Sequence, residues 1–298
     1  MRSLRKIGNL CGMLAPLLWA FAIIFCGSLR PEYSHFTQYI SELGERGSST
    51  EFTMRYLGFV PTGLMHIAFA AFLFAAFRGG KLAAIAATLL AINGLARIGA
   101  GLFPCEPGCA GPKVLLSQQL HSLSAAIGFF AFIGTSILWG IVVRRYGSLR
   151  RLSPYSVACG ILGLVFLLLM VWSDEQRAGT GLYERLSSGV LSLWVLVFAA
   201  RLWWLEDSGK VPAPAADFTQ TLRQAIDESR AAGLDTAVRQ LEQAVNAAYT
   251  TSSEYLGEIG EAITRFLKLN AHHVPPATMV KFHRCLVEVG KVWPRYRP

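Results

Sequence analysis

The chain has 298 residues, of which 53% are hydrophobic and only 16% are charged, and its mean hydropathy is +0.40. A soluble globular protein carries about a quarter charged residues, so this composition excludes an ordinary soluble chain and indicates a membrane protein. The formal net charge is +9. We assign much of that charge to basic flanks facing anionic lipid headgroups, and we predict no nucleic-acid partner.

Six apolar runs are each long enough to cross a bilayer as a helix, which takes about 20 residues. The first run follows a basic N-terminus. It is longer than the core of a signal peptide and no small-residue cleavage pattern follows it, so we interpret it as a retained helix. The sequence therefore predicts an all-α protein with a six-helix transmembrane bundle. The predicted spans are Ile7–Ser28, Leu57–Phe77, Leu82–Phe103, Ser117–Val143, Tyr155–Ser173 and Ser188–Leu205.

Lysine and arginine are concentrated in short segments on one side of the predicted bundle. On the other side they are spread over longer loops and mixed with acidic residues. The positive-inside rule then places both termini in the cytoplasm and the loops after the first, third and fifth spans outside. The basic residues of the short segments are Arg2, Arg5, Lys6, Arg78, Lys81, Arg144, Arg145, Arg150 and Arg151.

The segment Arg30–Ser48 is a polar stretch between the first two spans. At helical spacing its apolar residues share one face and its titratable residues the other, which predicts an amphipathic helix on the outer membrane surface. The apolar face consists of Tyr33, Phe36, Ile40 and Leu43, and the polar face of His35, Gln38, Glu42 and Glu45.

Two of the six cysteines, Cys105 and Cys109, flank Glu-Pro-Gly in a short external loop. An oxidising compartment favours a disulfide there, and the intervening proline and glycine favour the tight turn that it closes. A metal site and free thiols are the alternatives. We predict no metal site, because two thiolates without a histidine in the same loop make only half of one.

A few polar side chains lie inside the predicted spans, where each costs a few kcal/mol unless it is paired or faces a cavity. They fall in the outer halves of the second, third and fourth spans, below the amphipathic segment. We therefore predict an outward-facing polar pocket, in which Glu42 pairs with the arginine of the third span. The candidate pocket residues are His35, Glu42, His66, Asn93, Arg97 and His121.

Each of these residues also has a structural interpretation. Arg97 can snorkel to the interface, His66 can bond to Thr62 or to a neighbouring backbone, and His121 begins a span, where polar groups are cheap. The chain has no P-loop, nucleophile elbow or two-histidine zinc helix, so no particular cofactor is predicted.

The chain beyond residue 206 has the composition of a soluble helical domain. A proline-containing linker at 207–215 precedes four amphipathic segments, which predict a small cytoplasmic helical bundle. The domains are therefore 1–206, 207–215 and 216–298, and we expect the last to bind a protein partner. The four segments are Asp217–Ala232, Asp235–Tyr249, Ser253–Leu269 and Pro276–Trp293.

Four stretches in order resemble one family: YSHFTQYISELGERGS, GFVPTGL, GLFPCEPGC with HSLSAAIGF, and GLYERLSSGVLSLW. The chain is similar over about residues 5–205 to the Domain of Unknown Function 998 family of six-helix bacterial membrane proteins. The resemblance implies a six-helix topology and a bacterial inner membrane, and it leaves out the C-terminal segment. It implies no activity, because the family has none established.

Three functions fit these observations. The first is recognition of a lipid or other amphiphile headgroup, with Arg97 binding an anion and His66, His121 and Glu42 forming hydrogen bonds. The second is a membrane-embedded lipid hydrolase or transferase that uses a histidine or Glu42 as general base. The third is a scaffold or regulatory protein that acts through residues 216–298.

Overall fold

A computed structural model describes residues 2–77, 80–109, 115–146, 148–174, 178–207, 218–247, 249, 251–290 and 292–296. The chain divides into two compact units, Met1–Pro212 and Ala213–Pro298. Most of the predicted linker 207–215 lies outside the described residues. The division into 1–206, 207–215 and 216–298 therefore stays a prediction.

The described residues of the first unit form six long helices. All six contain an apolar window long enough to cross a membrane, the second together with the π-helix that precedes it. A seven-residue π-helix, Thr53–Phe59, leads directly into the second of them. The helices are α1 (Arg2–Ser28), α2 (Val60–Ala76), α3 (Lys81–Leu102), α4 (Leu116–Val142), α5 (Leu152–Asp174) and α6 (Thr180–Asp207).

The six predicted spans are confirmed, five of them to within about one turn. The sixth differs, because its spanning segment begins at Thr180 and not at Ser188. The charged pair Glu184 and Arg185 lowers the local hydropathy, so the sequence pattern places it in a loop. In the structure both residues lie in the first two turns of α6.

Each helix packs against its neighbour in sequence, and α6 also packs against α1, so the six helices form a closed ring. An aromatic core fills the half of the ring that holds the α2–α3 connection. This core is built around Phe132, Trp139, Trp194 and Phe198. The outer surface is apolar as well: Phe21 and Ile24 are 61% and 66% exposed. Burying such side chains in lipid removes them from water, as expected for spanning helices.

Residues 30–50, which we call the arch, close the opposite half of the ring. The predicted amphipathic helix is wrong for this segment. Within the arch, Ile40–Gly44 forms a short 3-10 helix and the remaining residues form turns and bends. Ile40 and Leu43 are buried under the arch against Trp19 of α1. These residues therefore recur at this spacing because they are buried inside a compact loop. They do not form a helix face that contacts lipid.

The arch is stabilised by hydrogen bonds from side chains, in place of the backbone hydrogen bonds that the predicted helix would have. One Nη of Arg30 donates to the carbonyl of Glu42 at 2.6 Å, and the other pairs with Glu45 at 3.1 Å. The Glu42 carboxylate accepts from the backbone N–H of Tyr39 at 2.9 Å. Thr50 donates to the carbonyl of Leu43 at 2.7 Å. These bonds satisfy backbone groups that a helix would pair internally.

The described residues of the second unit form four α-helices, close to the segments that the sequence predicts. They share one apolar core, to which Leu222, Val238, Ile263 and Phe282 each contribute a fully buried side chain. The helices are α7 (Phe218–Ala231), α8 (Asp235–Asn246), α9 (Ser252–Asn270) and α10 (Pro276–Val289).

Candidate functional site

A small cavity lies inside the ring at its arch end, between α1, α3, α4, α6 and the arch. Its volume is about 50 Å³. Because a water molecule needs roughly 10–15 Å³ of such space, the cavity has room for about three to five waters or for one group of about phosphate size. We call it the Arg97 cavity. Its polar or aromatic lining includes Trp19, Asn93, Arg97, Ser124, Phe132, Glu184 and Ser188.

Arg97 projects from α3 and is half-buried. Its guanidinium carbon lies 4.1 Å from the centroid of the Trp19 ring and 6.0 Å from that of Phe132. Nη1 donates to Thr62 over a long 3.4 Å. The ion pairs found among the described residues do not include Arg97. The aromatic faces attract the cation without using its N–H groups, so these can still donate to an acceptor.

Trp19 is fixed in the position that this stacking needs. Its indole Nε1 donates to the hydroxyl of Ser188 on α6 at 2.9 Å. Its ring meets Phe59 edge to face, with 4.9 Å between the ring centroids. The indole is therefore held between two helices before any ligand binds.

Glu184 supplies a carboxylate to the same cavity. It lies near the N-terminus of α6 and is buried. One carboxylate oxygen accepts from the backbone N–H of Ile40 at 2.5 Å, which ties the arch to α6. The cavity thus presents a guanidinium from α3 and a carboxylate from α6.

A hydrogen-bonded chain of polar groups lies behind the cavity. Nδ1 of His66 on α2 bonds to Oδ1 of Asn93 at 2.6 Å, and Nδ2 of Asn93 donates to the carbonyl of Gly128 at 2.9 Å. The His66 ring also packs against Phe132, with 5.2 Å between centroids. The chain joins α2, α3 and α4 and fixes which face Asn93 turns to the cavity.

Glu42 lies in the arch and is only 2% exposed. Besides the Tyr39 amide, its carboxylate accepts from Nε2 of Gln38 at 2.7 Å. Among the described residues, Glu42 is not part of the lining of the Arg97 cavity, and the ion pairs found there do not join it to Arg97. Glu184 is the carboxylate that lines this cavity, so the pairing of Arg97 with Glu42 stays a prediction.

His35 lies on the surface of the arch, where Nε of Arg185 donates to its Nδ1 at 3.2 Å. Partial burial, and then the positive charge of Arg185, lower the pKa of His35 below its ordinary value. The neighbouring Tyr33 accepts from another nitrogen of Arg185 and donates to the carbonyl of Tyr39 at 2.7 Å. Burial raises the pKa of Tyr33. This cluster anchors the arch to α6 outside the cavity.

His121 begins the second turn of α4 and is buried. Its Nδ1 bonds to the carbonyl oxygens of Phe103 at 2.8 Å and Ala100 at 3.1 Å. It therefore lies beside the loop after α3. In that loop the predicted disulfide is confirmed, with the Cα atoms of Cys105 and Cys109 5.1 Å apart.

Two lateral grooves adjoin the Arg97 cavity. A groove of about 350 Å³ between α1 and α6 is mostly apolar and shares Trp19, Ile40 and Ser188 with it. A second groove, of about 410 Å³, runs along α4 and α5 and shares Glu184 with it. His121 lines this second groove. Polar and apolar surfaces are thus continuous at the arch end.

The structure brings three of the six predicted pocket residues together and separates the others. Asn93 and Arg97 line the cavity and His66 lies directly behind it. Sequence reasoning missed Trp19, Glu184 and Ser188. The charged pair inside GLYERLSSG is the signal that could have identified Glu184, because a charge next to an apolar run marks either a loop or a polar face within the membrane.

Six apolar helices in a closed ring, with polar groups gathered in its interior at one end, define a multi-pass membrane protein. The chain belongs to a family described as protein of unknown function (DUF998), whose sequence model matches residues 13–201. This confirms the resemblance seen in the sequence, and the second unit lies outside the matched region. Comparisons with curated proteins and with solved structures each found no match.

Proposed function

We propose that the protein binds a phospholipid through the phosphate of its headgroup, in the Arg97 cavity. The observation that carries this proposal is the stacked Arg97, whose guanidinium is held on Trp19 at 4.1 Å beside a cavity of phosphate size. A guanidinium stays ionised in the membrane interior and offers several donors in one plane, which suits a phosphate.

The α1/α6 groove supports a lipid over a free anion. Its lining is mostly aliphatic, and it meets the cavity at Trp19 and Ser188. An amphiphile with its phosphate at Arg97 can lay an acyl chain along this groove. A free anion would leave the groove unused.

Glu184 supports a headgroup that also carries a hydrogen-bond donor. With a guanidinium and a carboxylate on one cavity, a phosphate linked to an ammonium or hydroxyl group satisfies both. Phosphatidylethanolamine and phosphatidylglycerol have such a donor. Phosphatidylcholine has a quaternary ammonium group without an N–H, so it serves as the discriminating lipid.

Native mass spectrometry of the full chain, released from nanodiscs containing these three lipids in equal amounts, tests the proposal. We expect one retained ethanolamine or glycerol phospholipid per chain. Arg97→Gln should lower retention about 10–100-fold, because a hydrogen bond to a charged group contributes about 1.5–3 kcal/mol.

Arg201→Gln is the matched control. Arg201 also stacks on a tryptophan, with its guanidinium carbon 4.6 Å from the Trp204 ring, but it lies near the C-terminal end of α6. Its removal should leave retention unchanged. Equal retention by wild type and Arg97→Gln would refute the proposal, and equal retention of all three lipids would refute the role of Glu184.

We further propose that the arch faces the outside of a bacterial inner membrane and that both termini are cytoplasmic. The distribution of lysine and arginine supports this orientation. An alkaline phosphatase fusion placed after the last residue should be inactive, and one placed in the arch should be active. The reverse pattern would overturn the orientation. The enzyme and scaffold hypotheses stay predictions.

A further inference from the structure

Three side chains that commonly bind metal ions meet at the arch end, away from the Arg97 cavity. The sulfur atoms of Cys105 and Cys109 and a ring nitrogen of His121 all lie within 4.8 Å of one another. The two sulfur atoms come from the loop after α3 and the imidazole comes from α4. Sequence spacing does not reveal this cluster, because His121 lies twelve residues beyond Cys109 and on another element.

The loop is held against His121 by contacts that do not involve the disulfide. Gln118, one turn before His121, accepts from the N–H of Glu106 at 2.7 Å and donates to the carbonyl of Cys109 at 3.2 Å. Ser117 donates to the carbonyl of Pro104 at 2.7 Å. Both cysteines are therefore bracketed by bonds to the first turn of α4.

The arch fixes the same loop from the other side. The N–H of Arg46 donates to the carbonyl of Cys105 at 2.9 Å, and the N–H of Gly108 donates to the Glu45 carboxylate at 2.6 Å. Gly108 has a φ of +79°, which glycine adopts without strain, whereas Cys109 lies in the left-handed region with a φ of +44°. The bonds from the arch and from α4 therefore hold this turn in addition to the sulfur bridge. With the bridge opened, the two thiols would stay close to the imidazole.

The hydrogen bonds of His121 leave one ring nitrogen for a metal. Two carbonyl oxygens accept from Nδ1, so this atom carries the ring proton and Nε2 carries the free lone pair. A backbone carbonyl on the far nitrogen is the usual partner of a metal-binding histidine, since it fixes the tautomer and the ring orientation.

We propose that Cys105, Cys109 and His121 form a redox-gated site for Zn²⁺ or a similar thiophilic ion. In the oxidised state the disulfide removes two ligands. A dithiol reductant opens the bridge by exchange, forming two cysteine thiols while it becomes a disulfide itself. The ion then displaces two thiol protons and accepts the Nε2 lone pair, which gives two sulfur ligands and one nitrogen ligand.

A fourth position is available from the α4/α5 groove. This groove has a volume of about 410 Å³ and is lined by both Cys109 and His121. It gives a route for the ion and room for a water or a substrate atom as the fourth ligand. Three protein ligands and one exchangeable position are typical of zinc sites that do chemistry or transfer the ion.

The test compares the oxidised and reduced forms of the full-length protein, purified in detergent with its affinity tag removed. A trialkylphosphine reduces the disulfide, consuming one water and yielding the phosphine oxide and two thiols. After its removal, Zn²⁺ is titrated against a chromophoric chelator, and Co²⁺ is added to a parallel sample. Cys11, Cys26, Cys159 and Cys285 are free in both forms, so the difference isolates the loop cysteines.

We expect one additional equivalent of Zn²⁺ in the reduced form, and a thiolate-to-cobalt charge-transfer absorption in that form alone. His121→Gln should weaken zinc binding at least about tenfold, since even a change behind the metal ligands costs about 10–100-fold. The exposed His272 provides the matched control, His272→Gln, which should bind as wild type does.

Equal zinc binding by the oxidised and reduced proteins would overturn the proposal. So would unchanged binding in His121→Gln, or zinc binding that survives in the Cys105→Ser, Cys109→Ser double variant. The comparison of the two redox forms needs no substitution, so a folding defect in a variant does not remove the test. None of these outcomes depends on lipid retention.

Discussion

Arg97 and Trp19 form a cation–π pair inside the ring, with the guanidinium carbon 4.1 Å from the centroid of the indole ring. The pair joins α3 to α1, and the Trp19–Ser188 hydrogen bond extends it to α6. A charged side chain in the membrane interior is costly unless it is paired or faces a polar cavity. Here the aromatic face offsets part of that cost and keeps the arginine beside the cavity.

The first prediction concerns the energy of this pair. Trp19→Leu and Arg97→Met should each lower the free energy of unfolding, and the double variant should lose less than the sum. We expect a coupling of about 1–2 kcal/mol, the range of a desolvated cation–π contact. Unfolding in mixed detergent micelles measures it.

Ser188→Ala is the control for the first prediction, because it removes the hydrogen bond to the indole and leaves the ring in place. It should couple less strongly to Arg97→Met than Trp19→Leu does. Additive losses in the main cycle would show that the two residues act independently.

The second prediction separates the structural role of Glu184 from its role in the cavity. Glu184→Ala should destabilise the protein by about 1–3 kcal/mol, because the buried N–H of Ile40 loses its acceptor. Glu184→Gln keeps an acceptor oxygen, so it should cost less while still reducing selectivity among lipids. Thermal unfolding and lipid retention measure the two effects.

Glu32→Gln is a suitable control for these Glu184 variants, because Glu32 at the start of the arch is 68% exposed; its ion pair with Arg30 is open to solvent, and Arg30 keeps its bonds to Glu42 and Glu45. Exposed substitutions usually change stability by no more than about 0.5 kcal/mol. If Glu184→Ala were as mild as this control, the bond to Ile40 would not stabilise the arch.

Hydropathy predicted the membrane-spanning helices well, because a helix that crosses lipid must be apolar over most of its length. It misplaced the start of α6. Glu184 and Arg185 lie inside that helix, where the arch supplies their partners: Ile40 for the carboxylate and Tyr33 and His35 for the guanidinium. Hydropathy averaged over neighbouring residues carries no information about partners that lie about 150 positions away in the sequence.

The arch shows a second limit of sequence reasoning. Helical spacing of apolar residues indicates a buried stripe, but a compact loop can bury the same residues, as Ile40 and Leu43 do. The side-chain bonds that hold this loop, such as that of Arg30 to the Glu42 carbonyl, do not follow from the spacing of the apolar residues. Arg97 and Asn93 were recognisable because a polar residue within an apolar run is unusual. The meeting of His121 with Cys105 and Cys109 depends on the packing of the loop after α3 onto α4.

The third prediction is a pH dependence that arises from His35. Its pKa is lowered in the folded protein, so folding favours the neutral ring. In the unfolded chain His35 has an ordinary pKa of about 6.5, so near and below that pH the unfolded state binds more protons than the folded state. The stability of the fold therefore falls as the pH drops from about 7 through 6.5. Above about pH 7 both states are neutral and the contribution of His35 is constant.

His35→Asn should therefore flatten the decrease in melting temperature between about pH 7.5 and pH 5.5. Arg185→Gln should flatten part of it while retaining the ring, since the charge of Arg185 is the second cause of the lowered pKa. A wild-type decrease that persists unchanged in His35→Asn would assign the pH dependence to other groups.

The last prediction concerns the close crossing of α2 and α3, which positions Arg97 and His66. A Cβ added at Gly63 would lie 2.5 Å from the carbonyl oxygen of Gly94, and one added at Gly94 would lie 2.6 Å from that of Gly63. The obstacles are backbone atoms and cannot rotate away. Small residues allow such close approach between membrane helices.

Gly63→Ala and Gly94→Ala should each destabilise the protein by about 1–3 kcal/mol, the usual cost of overpacking, and both should reduce lipid retention because the helices must separate. The control for stability is Gly189→Ala on α6, where an added Cβ meets nothing within 4 Å. It is not a control for lipid retention, because Gly189 lines the α1/α6 groove. That variant should be neutral or more stable by up to about 1 kcal/mol, since alanine favours a helix over glycine. Equal stability of Gly63→Ala and Gly189→Ala would show that the α2–α3 contact is looser than this crossing requires. The position of Arg97 would then have to depend on its contacts with Trp19 and Phe132.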